Sequence, residues 1–259
     1  MVGASARGAT DEPRVYLVTG VSGIGRATAL RLVGEGARVG VVDVDPAAGG
    51  GVRTAAGDHA DTVAAYTADV ADGAAARRIV ADLLARWGHL DGLVACAGVM
   101  GRVPVVDMPL EEWTRVLDVH LRGTFVYCQA VMPALVARGR GAIVVTSSNL
   151  AYEGAPGATH YATAKGAIES LMRALARELA PRGIRVNALA PGPTETPLFR
   201  GSSTEAELAA RRAERAAHQL LGRLGTPEEQ AAGIAYLLSD EASFVTGQVL
   251  HVNGGCIMP

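Results

Sequence analysis

The stretch V-Y-L-V-T-G-V-S-G-I-G, residues 15–25, decides the fold of this chain. It begins with four apolar residues, as expected of a strand that is buried on both faces. It then passes through three glycines directly into a helical pattern, which places Ala27, Leu30 and Val33 on one face. A buried strand followed by a glycine turn and a helix is the first unit of an α/β fold.

Six further strands are predicted downstream, and the stretches between them are long enough to hold crossover helices. They are residues 38–42, 63–67, 90–95, 142–146, 184–189 and 248–252. Most of them are apolar on both faces, which is typical of a parallel sheet covered by helices on both sides. We therefore predict an α/β fold of the doubly wound (Rossmann) type, with a seven-stranded parallel sheet.

The composition indicates a single domain, residues 14–259, after a polar tail at residues 1–13. The chain has 259 residues, of which 49% are hydrophobic, and neither a repeat nor a linker divides it. Its net charge of −2 gives no reason to expect a nucleic-acid partner. No apolar run reaches the roughly 20 residues that cross a membrane. We therefore expect a cytoplasmic protein with neither a nucleic-acid nor a membrane partner.

The three cysteines, Cys96, Cys128 and Cys256, are few and widely spaced. Buried or incidental thiols explain them better than a metal site or a disulfide. We therefore expect no bound metal.

Nucleotide binding is the first function that the sequence indicates, because ligands of doubly wound sheets lie at the carboxyl ends of the strands. The glycine turn lets the backbone approach a pyrophosphate, and the N-terminus of the following helix favours the negative charge. The residues of this turn predicted to contact the cofactor are Gly20, Ser22, Gly23, Ile24 and Gly25. A glycine turn alone is a weak signal and needs a second feature.

Asp43, at the end of the second strand, supplies that feature. A carboxylate there can accept hydrogen bonds from both ribose hydroxyls of NAD, and it would repel the 2′-phosphate of NADP. No arginine follows it to receive that phosphate. The alternative role of Asp43 is that of a turn residue before Pro46. We expect NAD rather than NADP as the cofactor.

Tyr161 and Lys165 are four residues apart on a helical pattern, so their side chains share one face. Ser148 follows an apolar strand and so lies at the ligand end of the sheet. A neighbouring ammonium can lower the pKa of a phenol from about 10 towards neutrality in a partly desolvated site. Tyr161 would then exchange the hydroxyl proton of the substrate, while Ser148 holds the same oxygen. Hydride would pass directly between the substrate carbon and the nicotinamide.

Lys165 is the single lysine among 24 lysine and arginine residues. Arginine is bulkier and does not readily release its proton, so it would not substitute at this position. The alternative is an ordinary exposed tyrosine and lysine on a helix, and the placement of the lone lysine disfavours it.

Residues 193–221 interrupt the alternation of strands and helices. They are rich in Pro, Ser and Thr and then become a polar helix with Arg211, Arg212 and Arg215. We interpret the segment as a lid over a substrate pocket; a solvated insertion is the alternative. Further pocket walls would come from residues 100–103 and 150–160, with Glu153 and His160 as possible polar contacts. The arginines keep a substrate linked to CoA or to acyl-carrier protein open, although a solvated helix face is favoured.

In their order and spacing, these motifs resemble those of the short-chain dehydrogenase/reductase family. The matching pieces are T-G…G-I-G, A-D-V at 68–70, A-G at 97–98, S-S at 147–148, Y-A-T-A-K, N-A-L-A-P-G-P-T-E-T at 187–196 and H-V-N-G-G at 251–255. The resemblance covers nearly the whole chain and implies an alcohol or ketone as the small-molecule substrate. It also implies a homotetramer, or a dimer, built partly on the helix that carries Tyr161.

The resemblance assigns further cofactor contacts after the third, fourth and sixth strands. They are Asp69, Val70, Ala97, Gly98, Pro191, Gly192, Thr194 and Thr196. Of these, Asp69 and Val70 would contact the adenine, and Gly98 would lie near the ribose. The backbone of Thr194 would meet the carboxamide with Thr196 close by, and Lys165 would bind the nicotinamide ribose.

Three features depart from the family pattern. The glycine turn is one residue short, so it either tightens around the same phosphates or weakens cofactor binding. The family's N-N-A-G is A-C-A-G at residues 95–98, which removes two asparagines that brace this turn. His120 replaces the asparagine of the catalytic tetrad, whose main-chain carbonyl holds a water in a proton relay. That backbone role survives the change, and the His120 ring would either titrate near neutral pH or merely support the site.

The sequence therefore predicts an NAD(H)-dependent oxidoreductase that interconverts a secondary alcohol and a ketone. Its catalytic residues would be Ser148, Tyr161, Lys165 and His120, with Tyr161 as the general acid and base. Two alternatives remain open. One is an NADPH-dependent ketoreductase of the same family, and the other is a cofactor-binding protein whose activity is weakened by the short glycine turn.

Overall fold

The computed structural model describes residues 12–259, so most of the predicted tail at residues 1–13 lies outside the described residues. Glu12 is already in contact with the domain. Its carboxylate lies 3.2 Å from Nδ1 of His89 and 3.3 Å from Nη2 of Arg138.

Seven parallel strands form one sheet, as predicted, in the order β3-β2-β1-β4-β5-β6-β7. They are β1 (Val15–Thr19), β2 (Arg38–Asp43), β3 (Val63–Thr67), β4 (Gly92–Ala95), β5 (Gly141–Thr146), β6 (Ile184–Pro191) and β7 (Val249–Val252). The strand order reverses between β1 and β4. In doubly wound sheets the ligand crevice opens at such a point, outside the carboxyl ends of the strands.

Helices cover both faces of the sheet. They are α1 (Ile24–Gly34), α2 (Pro46–Ala55), α3 (Gly73–Trp87), α4 (Leu110–Leu117), α5 (Gly123–Arg138), α6 (Leu150–Glu153), α7 (Thr159–Leu179), α8 (Pro197–Arg200), α9 (Glu205–Ala217) and α10 (Pro227–Leu238). Helices α3, α5 and α7 pack on one face, and α1, α2 and α10 pack on the other. Within residues 12–259 no helix combines the length and the apolarity that crossing a membrane requires.

Two hydrophobic clusters hold these layers together, because successive side chains of a strand point to opposite faces. Leu17, Leu93 and Ile143 belong to the cluster under α3, α5 and α7. Val18 and Val94, one residue further along their strands, belong to the cluster under α1 and α10. All five side chains are fully buried, which explains why the strands read as continuous apolar runs.

Asp91 anchors the amino-terminal edge of the sheet, opposite the ligand edge. Its buried carboxylate accepts hydrogen bonds from the N–H of Val15 and from Nε of Arg138, each at 2.9 Å. Nε2 of His89 lies 3.1 Å away. A buried carboxylate is tolerated only with such partners. The cluster therefore ties the start of β1 to the end of α5.

Candidate active site

The glycine turn after β1 needs glycine at its first and last positions. Gly20 has a φ of +73°, and a Cβ there would overlap the backbone of Ala97. A Cβ on Gly25 would overlap the carbonyl oxygen of Gly20. The backbone of the turn is therefore packed too closely for any larger residue.

The N-terminus of α1 is suited to an anion. Its N-cap, Gly23, has no side chain that could cap the helix, and the first turn holds no acidic residue. By contrast, α9 and α10 begin with complete capping boxes at Thr204 and Thr226. Uncapped N–H groups at a helix N-terminus favour a phosphate. The residues present therefore fit the pyrophosphate of a dinucleotide.

The missing residue of the turn is compensated by Asp43. Val21 is fully buried, and its N–H donates a 2.8 Å hydrogen bond to Oδ2 of Asp43. Oδ1 of Asp43 accepts a second hydrogen bond from the N–H of Asp45 at 3.1 Å. The turn is thus tightened onto the end of β2. Asp43 acts as a turn residue, and because a carboxylate has about four acceptor sites it retains capacity for ribose hydroxyls.

The residues after β3 and β4 face the same edge of the sheet. Asp69 is exposed, and its Oδ1 accepts the N–H of Ala71 at 2.9 Å. Val70 is buried against Gly123, whose added Cβ would lie 2.8 Å from a Val70 methyl group. The structure therefore leaves the Asp69 side chain more accessible to an adenine than that of Val70.

The segment after β6 is anchored on both sides of Thr194. The Thr194 hydroxyl donates to the carbonyl of Gly192 at 2.9 Å and lies 3.2 Å from Nε2 of the buried Gln230. Thr196 packs on Gly23, because a Cβ on that glycine would lie 3.2 Å from it. Gln230 was missed in the sequence, although a glutamine in an apolar helix was a signal that could have revealed it.

Ser148, Tyr161 and Lys165 are brought together at the carboxyl edge, and each is less than 10% exposed. Burial raises the pKa of Tyr161, and a side-chain hydrogen bond with Ser148 opposes part of that rise. Nζ of Lys165 lies 5.6 Å from the centre of the Tyr161 ring and donates a 2.6 Å hydrogen bond to the carbonyl of Thr146. Thr146 was missed in the sequence, because any residue type supplies a carbonyl.

The pKa values of this pair differ from the predicted ones. Burial raises the pKa of Tyr161 to about 12, and burial lowers the pKa of Lys165 to about 8. The prediction that the Lys165 ammonium lowers the pKa of the phenol is therefore wrong for this structure. Desolvation of the phenolate dominates, and the ammonium is held by a backbone carbonyl instead.

His120 lies in a single π turn, Asp118–Arg122, between α4 and α5. Its main-chain carbonyl accepts a 2.6 Å hydrogen bond from the Thr124 hydroxyl. The ring packs edge-on against the Tyr161 ring, with 5.1 Å between the centroids. Burial and the neighbouring Lys165 cation lower the pKa of His120 to about 3. Of the two roles considered for this ring, the lowered pKa disfavours titration near neutral pH and favours support of the site.

The His120 ring braces the turn that lacks the family's asparagines. Its Nε2 lies 2.6 Å from the carbonyl oxygen of Val99. A Cβ on Gly98 would lie 2.5 Å from Cε1 of the same ring, so only glycine fits beside it. The N–H of Cys96 donates to the carbonyl of Thr19 at 3.2 Å. The turn after β4 is therefore held by His120 and β1.

Two residues that the sequence offered for binding the substrate make other contacts in the structure. His160 is fully buried, and its Nε2 lies 3.6 Å from a carboxylate oxygen of Glu112, so it does not line the pocket. Arg212 forms a two-point ion pair with Glu195 at 2.7 and 2.9 Å, so its charge is compensated. No group of three or more His, Cys, Asp or Glu side chains within residues 12–259 is placed to hold a metal.

Comparisons with known proteins agree on one family. A family model described as enoyl-(acyl carrier protein) reductase matches residues 18–256. The chain is 38% identical to the 3-oxoacyl-(acyl-carrier-protein) reductase of Thermotoga maritima, over 95% of this chain and 99% of that protein. It is 37% identical to the (3R)-3-hydroxyacyl-CoA dehydrogenase of Mus musculus, over 93% of this chain and 95% of that protein.

A solved structure extends the likeness to three dimensions. It is a short-chain dehydrogenase/reductase of Brucella melitensis, described as a glucose/ribitol dehydrogenase. It matches 96% of this chain and 98% of its own, with a TM-score of 0.88 and 37% identity. With the seven-stranded sheet and the grouped Ser148, Tyr161 and Lys165, these matches show that the chain belongs to the short-chain dehydrogenase/reductase family, as an oxidoreductase acting on CH–OH groups.

Proposed function

We propose that the protein interconverts a secondary alcohol and a ketone with NAD(H) as its cofactor. The observation that carries the proposal is that Ser148, Tyr161 and Lys165 are buried at the same carboxyl edge of the sheet at which α1 begins without a cap. The relatives support it, since one is called a 3-oxoacyl reductase and another a 3-hydroxyacyl dehydrogenase. When bound, the nicotinamide supplies or accepts the hydride.

The preference for NAD rests on the charge at the end of β2. Asp43 keeps acceptor capacity for two ribose hydroxyls, and Asp45 adds a second negative charge two residues later. The side chain between them, Val44, is exposed and apolar and offers no cation to a 2′-phosphate. Two carboxylates without a facing cation repel such a phosphate.

Tyr161 handles the proton that accompanies the hydride. Because the pKa of Tyr161 is about 12, the phenol is protonated at neutral pH and ready to donate to the oxygen of a ketone. Ser148 stabilises the same oxygen by a hydrogen bond. In the direction of alcohol oxidation the phenol must first lose its proton. We therefore expect reduction to dominate near neutral pH and the rate of oxidation to rise with pH.

A cofactor titration tests the first half of the proposal. Purified protein is titrated with NADH and NADPH while the nicotinamide fluorescence is followed. We expect NADH to bind at least about tenfold more tightly, the effect of one charge-assisted hydrogen bond. Asp43→Asn keeps an acceptor for the N–H of Val21, and it should reduce the preference for NADH over NADPH. Asp45→Asn also removes one negative charge but keeps the cap of α2 and both Asp43 oxygens, so it should reduce the preference for NADH less than Asp43→Asn does.

The reaction itself is tested with a panel of secondary alcohols and NAD. Tyr161→Phe should lower turnover by about 10²–10⁴-fold, the usual contribution of a general acid or base, with NADH binding nearly intact. Tyr127→Phe is the matched control, because this buried hydroxyl makes no hydrogen bond and its side chain belongs to the hydrophobic cluster under α3, α5 and α7. An unchanged rate in Tyr161→Phe would contradict the mechanism. If neither NADH nor NADPH binds, the proposal fails at its first step.

A further inference from the structure

The segment that follows β6 lies between the reacting centre and the N-terminus of α1. At its start, the carbonyl of Pro191 accepts a 3.2 Å hydrogen bond from the N–H of Asn149, the residue after Ser148. Further along, the side chain of Thr196 lies against Gly23, where an added Cβ would come within 3.2 Å of it. A dinucleotide with its pyrophosphate at α1 and its reactive ring beside Ser148 would therefore pass along this segment.

Gln230 ties the segment to the end of β7. This residue of α10 is 1% exposed, and its Nε2 donates to the carbonyl of Val252 at 2.9 Å and to the Thr194 hydroxyl at 3.2 Å. A carbonyl only accepts, so the NH2 group of the amide must be the part that faces Val252. The Thr194 hydroxyl in turn donates to the carbonyl of Gly192 at 2.9 Å. One buried amide therefore joins β7 to the segment after β6.

Backbone contacts set the direction of the Thr194 main chain. The N–H of Gly225 donates to the carbonyl of Pro193, and the N–H of Glu195 donates to the carbonyl of Gly225, both at 3.0 Å. Successive residues of an extended segment turn their N–H and C=O groups to opposite sides, so those of Thr194 face away from Gly225. The Thr194 carbonyl accepts one hydrogen bond, from the Thr196 hydroxyl at 3.4 Å, and keeps a second lone pair. A donor and an acceptor on one residue suit a carboxamide such as that of nicotinamide.

Stability alone does not explain a glutamine at this position. Oε1 of Gln230 is buried and has no hydrogen-bond partner within residues 12–259, which destabilises a fold. One turn further along α10, the corresponding residue is the fully buried Ile234. An apolar residue in place of Gln230 would leave no partner unpaired, because Val252 also accepts from the N–H of Gly192 at 3.1 Å and Thr194 keeps its bond to Gly192. The amide therefore serves a purpose other than stability.

We propose that Gln230 is a positioning residue, which holds the main chain of Thr194 in place for the carboxamide of the nicotinamide ring. It does not touch the reacting atoms and acts through the Thr194 hydroxyl. The inference rests on the proposed function, because it concerns the cofactor of that same site. It holds for NADH and NADPH alike, since the two cofactors share the nicotinamide end and differ at the adenosine end.

The test replaces Gln230 with methionine, which has about the same length and no donor. Calorimetric titration compares NADH with ADP-ribose, which has the pyrophosphate but lacks the nicotinamide ring. We expect the Kd of NADH to rise about fivefold, the effect of one neutral hydrogen bond, and that of ADP-ribose to change less than about twofold. The free energy of unfolding in urea should not fall, because no buried partner loses its last hydrogen bond.

Two further variants separate positioning from a loss of packing. Ile234→Val is the matched control, because it trims a buried side chain of the same helix within the hydrophobic cluster under α1 and α10. It should lower the free energy of unfolding and leave both Kd values unchanged. Thr194→Val removes the hydroxyl and keeps the branched shape, and it should weaken NADH binding about as much as Gln230→Met does. The double variant should bind NADH more tightly than the sum of the two separate effects predicts.

Equal weakening of NADH and ADP-ribose in Gln230→Met, a parallel loss of stability, or additive effects in the double variant would overturn the inference. If Gln230→Met binds NADH as tightly as the natural chain does, the inference is refuted and the proposed function stands. If the natural chain binds neither NADH nor NADPH, the proposed function itself has failed.

Discussion

Replacing Lys165 with methionine should abolish turnover and also change how the stability of the protein depends on pH. Lys165 is 3% exposed, and burial lowers its pKa from the ordinary 10.5 to about 8. At about 1.4 kcal/mol per pKa unit, the buried ammonium destabilises the fold by about 3 kcal/mol. Losing the hydrogen bond to Thr146 costs about 1 kcal/mol. The variant should therefore be more stable than the natural chain by about 2 kcal/mol at pH 7.

The difference should shrink as the pH rises. Between pH 8 and 10.5 the unfolded chain keeps the Lys165 proton while the folded chain has released it, so the free energy of unfolding of the natural chain increases with pH. Below pH 8 both states are protonated, and the penalty is constant. From pH 7 to pH 9 the natural chain should therefore gain about 1 kcal/mol relative to Lys165→Met.

Urea unfolding at pH 7 and pH 9 measures this change, with tryptophan fluorescence as the signal and the protein concentration held fixed. Arg177→Met is the matched control, because Arg177 is exposed on the same helix and stays charged throughout. Its stability should parallel that of the natural chain at both pH values. A difference between Lys165→Met and the natural chain that is the same at pH 7 and pH 9 would refute the reasoning.

Three further substitutions test the packing around the site. Gly20→Ala should abolish NADH binding, as measured by a fluorescence titration. It should also lower the free energy of unfolding in urea by about 2–5 kcal/mol, because the positive φ and the overlap with the backbone both oppose a Cβ. Gly98→Ala should lower the free energy of unfolding by about 1–3 kcal/mol, because the new Cβ meets the His120 ring. Adding His120→Asn removes that ring and should recover part of the loss. Purely additive effects of the two substitutions would contradict this contact. Asp91→Asn should cost about 3–5 kcal/mol by urea unfolding, because Arg138 loses its buried carboxylate, while NADH binding to the folded protein stays unchanged at the opposite edge of the sheet.

Much of the fold could be read from local patterns. The seven apolar runs were predicted in their correct places, with limits within about two residues, because buried parallel strands are apolar on both faces. The grouping of Ser148, Tyr161 and Lys165 also followed, since strand ends meet at one edge and residues four apart share a helix face. The contact that tightens the short glycine turn, Val21 to Asp43, joins residues on neighbouring strands and was not predictable from spacing.

The arginines show the same division. The sequence grouped Arg211, Arg212 and Arg215 because they are close along one helix. The tertiary structure pairs Arg212 with Glu195 from the segment after β6, since charge pairing depends on proximity in space.

The sequence by itself determined which groups are present, their order along the strands, and the glycines that the turn requires. Only the tertiary structure decided their protonation. Tyr161, Lys165 and His120 all depart from their ordinary pKa values chiefly through burial. Burial is produced by side chains from distant parts of the chain that exclude water from the site, and the cost of desolvating a charge depends on that exclusion rather than on residue type or spacing.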